Sequence, residues 1–132
     1  MKIAVTYRVC QAWRTPIFRR LNDTAENQLT VFHGQTIPGT KLVNSPTFTG
    51  FGHKELKTYA WSMKSTGRRV PAMIYPSIMK ALSNYLPDVL LCEGGSNIFN
   101  NLLIYRWAQR HKTPTVWWDL GEIPGRQYKG LS

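Results

Sequence analysis

Between Pro87 and Gly94 the chain reads Asp-Val-Leu-Leu-Cys-Glu, an apolar run without polar alternation. A strand with one wet face would alternate, so this run reads as a strand buried on both faces, inside a parallel sheet. Parallel strands need long crossover connections, usually helices, and the flanking sequence supplies them. Upstream, Pro76 opens a helical pattern with Ile78, Met79, Leu82, Tyr85 and Leu86 on one side, and Pro87 closes it. Downstream, Gly94-Gly95-Ser96-Asn97 reads as a turn and N-cap. The helix it starts carries Ile98, Phe99, Leu102, Leu103, Tyr105 and Ala108 and ends in Arg110-His111-Lys112, cations that suit the negative end of the helix dipole. Pro114 breaks it, and Thr115–Asp119 is a further strand.

The first half repeats the rhythm. Lys2–Tyr7 is a β-rich opening strand, and Arg8–Arg14 is a loop without glycine. Thr15 is placed as N-cap with Pro16 at the first helical position, and Ile17, Phe18, Leu21 and Ala25 share the face of the helix that follows. Gln28–His33 is a second strand. Residues 34–55 are rich in glycine and proline and read as loop, with a short strand at Lys41–Asn44. Leu56–Met63 alternates as a strand would, whereas Arg68–Ala72 gives no clear signal. The pattern predicts an α/β fold: a Rossmann-like, mostly parallel sheet with helices on both faces, in one domain over residues 1–132. A chain of 132 residues is too short for a TIM barrel of roughly 250.

Charge narrows the partners. Seventeen Lys and Arg against seven Asp and Glu give +10, which attracts nucleic acid, anionic membranes or phosphorylated molecules. The charge is dispersed, its longest run being two residues at Arg19-Arg20 and Arg68-Arg69. No RRM, KH, zinc-finger or helix-turn-helix signature is present, so nucleic acid is not the expected partner. Trp13 beside Arg14, together with Arg19 and Arg20, is a candidate contact with an anionic membrane surface. A partly exposed surface helix would read the same way. Neither a signal peptide nor a transmembrane stretch is read, so the expected location is cytoplasmic, or peripheral on the inner face of a membrane. Cys10 and Cys92 read as buried thiols, and His33, His53 and His111 have no ligand spacing, so no metal is expected. There is no P-loop or dinucleotide fingerprint, and no cofactor is expected.

Ligands of such sheets bind beyond the carboxyl ends of the strands. Those ends nominate Arg8 and Arg14 after the first strand, Glu93, Gly94, Gly95 and Ser96 after the buried one, and Trp118, Asp119 and Glu122 after the last. Forked guanidinium groups grip phosphate. Glycines ahead of a helix let a ligand approach free N–H groups. Glu93 could accept from sugar hydroxyls or act as a base, and Trp118 could stack on a sugar face. Each has a plainer alternative: solvated charges, a tight turn, a core tryptophan. No catalytic residue is assigned.

The ordered segments Tyr85-Leu86-Pro87-Asp88-Val89-Leu90-Leu91 and Lys112-Thr113-Pro114-Thr115-Val116-Trp117-Trp118-Asp119-Leu120-Gly121 resemble the end of the N-terminal domain of family-four (group 1) glycosyltransferases, which have the GT-B fold. Tyr7-Arg8 and Thr15–Leu21 are similar to the start of polysaccharide-building members. The resemblance implies one half of a GT-B fold, holding a glycan or lipid-linked acceptor for a sugar transferred, usually with retention, from a nucleotide-sugar donor. That family's paired-glutamate motif is missing, because the four glutamates stand at 26, 55, 93 and 122. Donor binding is therefore expected in a further C-terminal domain or a partner chain, and the 132 residues alone are expected to be inactive. Glu93 and Gly94 carry over only as cleft-lining positions. The other reading is a stand-alone basic α/β module for nucleic acid or phosphorylated ligands, or a partner subunit of a split transferase.

Overall fold

A computed structural model describes residues 1–118. Its elements are β1 (Lys2–Tyr7), a short 3-10 turn (Ala12–Arg14), α1 (Thr15–Asp23), β2 (Gln28–His33), β3 (Gly52–Glu55), β4 (Tyr59–Ser65), β5 (Arg68–Ile74), α2 (Ile78–Tyr85), β6 (Val89–Glu93), α3 (Ile98–His111) and β7 (Thr115–Trp118). Among these residues, five strands form one sheet in the order β3-β2-β1-β6-β7, and every pairing in it is parallel. β4 and β5 pair only with each other, as an antiparallel hairpin.

The sheet is α/β and Rossmann-like, with helices on both faces. Alternation along each strand splits the core in two. Ile3, Val5, Tyr7, Leu29 and Val31 pack with Phe18 of α1 on one face. Ala4, Phe32, Leu90 and Cys92 pack with Ile78 and Leu82 of α2 and Ile104 and Trp107 of α3 on the other. Two buried layers explain why β6 reads without alternation. From β1 the chain steps outward to β2 and β3, then returns to β1's other side for β6 and β7. The order reverses between β1 and β6, and that gap is the topological switch point.

Several expectations are corrected. Thr15 is not an N-cap: it is already helical, and its hydroxyl donates to the Ala12 carbonyl at 2.8 Å. α1 ends at Asp23, and Ala25 lies beyond it with positive φ. Lys41–Asn44 is not a strand, while Gly52–Glu55, read as loop, is the sheet's edge strand. That strand is exposed at all four positions, so no apolar pattern marks it. The unclear segment after Gly67 is β5, joined to β4 by a two-residue turn in which Thr66 and Gly67 both have positive φ. This is the turn geometry that matches hairpin twist.

The rotation of α3 departs from its apolar content. Of the apolar residues it carries, Ile98, Leu102 and Tyr105 are exposed, while Asn100, Ile104, Trp107 and Ala108 are buried. The cause is a buried polar network. Asn100 accepts from the Tyr75 backbone N–H at 2.9 Å and donates to the Met73 carbonyl and to Asn97 Oδ1. Asn97 does not cap the helix; its Nδ2 donates to the Tyr75 hydroxyl at 2.9 Å, and that hydroxyl donates to the Tyr7 carbonyl. The network ties the base of the hairpin and α3 to the end of β1.

Candidate functional site

The switch point places Arg8, the first residue after β1, against Glu93, the last of β6. The Glu93 carboxylate accepts three hydrogen bonds, from the Arg8 backbone N–H at 2.8 Å, Nε at 3.2 Å and Nη2 at 3.1 Å. Both side chains are largely sequestered, at 21% and 13% exposure. They are neither solvated surface charges nor, for Glu93, a free base. A carboxylate receiving both a guanidinium fork and a backbone N–H is a fixed anchor. It aims Arg8 and leaves the Nη1 amino group without a protein partner among the described residues.

Arg8 opens into a cleft of about 410 Å³ between the hairpin and the turn that precedes α3. Gly95 and Ser96 line it with Arg8, and Met63, Val70 and Phe99 give it an apolar wall. Three expected site residues are thereby brought together. Gly95 holds φ +58°, which suits glycine, and the Gly94 N–H donates to the Trp118 carbonyl at 2.9 Å. Asn101 Nδ2 donates to the Glu93 carbonyl at 2.8 Å, so the turn is held from both sides. Gly94 and Gly95 also border a shallow groove of about 420 Å³ whose far wall is Leu102, Tyr105 and Trp117.

Arg14 is placed otherwise. Its guanidinium lies 4.3 Å from the Tyr7 ring centre, 4.1 Å from Trp13 and 5.8 Å from Trp118, and its Nη1 donates to the Tyr7 hydroxyl at 2.8 Å. Such a stack holds a cation well without any phosphate. Trp118 packs edge-on against Tyr7, 6.3 Å between centres, and belongs to the core on the α1 face. Burial pushes the Tyr7 phenol up to about 12, so near neutral pH it stays a donor and acceptor. Asp119 and Glu122 lie outside the described residues.

Of the candidate membrane contacts, Trp13 and Arg20 are exposed. Arg19 is turned inward: its guanidinium donates to Thr15, and its stem lies against Gly50. Cys10 and Cys92 are buried free thiols; burial pushes Cys10 up to about 11 and Cys92 upward as well. Among the described residues, no group of three or more His, Cys, Asp or Glu could hold a metal ion, and no helix is long and apolar enough to cross a membrane.

Sequence reasoning missed the apolar wall. Met63 closes the strand read over Leu56–Met63, Val70 falls in the segment Arg68–Ala72 that gives no clear signal, and Phe99 reads only as one of the apolar residues of its helix. Comparisons with family models, curated proteins and solved structures return no match.

Proposed function

We propose that this chain is the acceptor-binding half of a glycosyltransferase, taking a glycan or lipid-linked acceptor in the switch-point cleft. The observation that carries the reading is the mixed lining of that cleft. An anchored guanidinium and a serine share it with Met63, Val70 and Phe99. A sugar offers hydroxyls at its edge and C–H groups on its face, and a lipid-linked sugar adds a phosphate and an acyl chain. Arg8 and Ser96 suit hydroxyl or phosphate oxygens; the apolar lining suits the apolar parts.

In this reading Glu93 positions Arg8, to which its carboxylate is bonded. Donor binding and the transfer step fall to residues of a further domain or partner chain. The test is calorimetric titration with two probes, a short-chain prenyl diphosphate-linked N-acetylhexosamine and a uridine diphosphate hexose. The first should bind, and Arg8→Met should weaken it at least tenfold, an order-of-magnitude value for a lost charge-assisted hydrogen bond. Tight binding of the nucleotide sugar, or no binding of the acceptor, would refute it.

A second reading has its own support. Among the described residues the ion pairs reduce to one, Arg8–Glu93, so most of the +10 charge is unneutralised locally. A stand-alone module for nucleic acid or phosphorylated ligands would show oligonucleotide affinity that falls steeply with salt. Absence of such binding at low salt excludes that module.

A further inference from the structure

After Glu55 the sequence holds no acidic residue until Asp88, while Lys57, Lys64, Arg68, Arg69 and Lys80 fall in between. The fold gathers Lys64, Arg68 and Arg69, all exposed, at the turn end of the β4–β5 hairpin. Lys64 stands directly opposite Arg69, and Ser65 opposite Arg68. Like charges facing each other across a ladder destabilise it, and among the described residues no carboxylate pairs with these three. The next pair inward on Arg68's face is Met63 with Val70, 37% and 39% exposed. Behind it on the same face stand Trp61 and Tyr59, 41% and 53% exposed. Lys64 and Arg69 stand on the other face of the ribbon, so on the apolar face Arg68 alone caps the aliphatic pair and the aromatics follow, while the other two cations flank the same turn from the far side.

We infer that this hairpin docks the protein onto an anionic lipid bilayer. The aliphatic pair and Arg68 meet the headgroup boundary from one face of the turn end, Lys64 and Arg69 reach lipid phosphates from the other face by their long stems, and Trp61 and Tyr59 sit at the interface where amphipathic rings accumulate. A single-stranded nucleic acid fits the same charge but not the same side chains. Base stacking needs free aromatic faces. The Trp61 ring is packed on Phe99 at 5.2 Å between centres, and Lys57 lies 5.6 Å over the Tyr59 ring. Met63 and Val70 have no π face to offer. The two also line the cleft, so a docked bilayer would adjoin its apolar wall. The surface stands whether or not the cleft binds a sugar.

The test is co-sedimentation of the full chain with vesicles of phosphatidylglycerol and phosphatidylcholine, against phosphatidylcholine alone. The parent should partition to the anionic vesicles. Arg68→Ala with Arg69→Ala should lower that partitioning about thirtyfold, from the usual contribution per cation, and Met63→Ser with Val70→Ser should also lower it. Arg106→Ala with Arg110→Ala removes the same charge from the exposed side of α3 and should cost far less. A dye on Met63→Cys gives a second readout with all three cations retained, because Cys10 and Cys92 are buried; its emission should shift to the blue on anionic vesicles. Equal losses in the two arginine variants, an unmoved dye, or oligonucleotide binding that needs the hairpin while vesicles are ignored would each overturn the inference.

Discussion

Asn100→Leu is the sharpest perturbation of this fold. Asn100 is fully buried and spends its amide on three partners: the Tyr75 N–H at 2.9 Å, the Met73 carbonyl at 3.2 Å and Asn97 Oδ1 at 2.8 Å. Leucine keeps the same branched skeleton in a larger volume, which leaves no room for a rescuing water and adds crowding to the loss of hydrogen bonds. Two backbone groups and the Asn97 oxygen would lose their Asn100 partner. At roughly 1–3 kcal/mol for each orphaned buried group, the two backbone groups alone predict a loss of about 2–6 kcal/mol. That is a large share of the roughly 5–15 kcal/mol a domain possesses. Urea unfolding followed by tryptophan fluorescence should show a lower midpoint with an unchanged slope. A midpoint shift worth less than about 1 kcal/mol would refute the claim that this network, and not the apolar pattern, fixes the rotation of α3.

Two further perturbations follow from the same geometry. His33 is fully buried, bonded through Nδ1 to the Gly34 carbonyl, and burial lowers its pKa below the ordinary 6.5. The unfolded chain then binds a proton the folded one refuses. Stability should be complete above pH 6.5 and fall as pH drops through that value toward the folded-state pKa, by at most about 1.4 kcal/mol per pH unit. Urea midpoints at about pH 7.5 and about pH 5.5 should differ less in His33→Phe; an equal difference contradicts the assignment. Arg8→Met strips Glu93 of its guanidinium and should cost about 1–3 kcal/mol, discounted for partial exposure. Adding Glu93→Leu should recover part of that loss in thermal melts, and a strictly additive double variant would mean the pair is not coupled.

Legibility followed the strength of local patterns. β1 and β2 were bounded as found because apolar residues stop at Arg8 and Gly34. β6 announced the parallel sheet through its unbroken apolar run. The inward face of α3 was not legible, because its buried stripe contains an asparagine at position 100 and Ile98, Leu102 and Tyr105 outweigh it in any hydrophobic count. The hairpin hid because its turn is Thr66-Gly67, without the Asn-Gly or Asp-Gly pair that usually marks such a turn, and because Pro71 interrupts its second strand. Strand ends alone nominate Arg8, Glu93, Gly95 and Ser96, and the fold places Arg8, Gly95 and Ser96 in one cleft. That Arg8 and Glu93 bond to each other was not legible, since 85 residues separate them and only the β1–β6 pairing makes them neighbours.

The central claim is that the switch-point cleft receives an acceptor sugar. Amide chemical-shift mapping of the isotope-labelled chain, titrated with a short-chain prenyl diphosphate-linked N-acetylhexosamine, tests it most directly. The account predicts the largest shifts at Arg8, Gly95, Ser96 and Phe99, reduced in Arg8→Met. Shifts confined to Arg14 and Trp13, or no shifts at all, would contradict it.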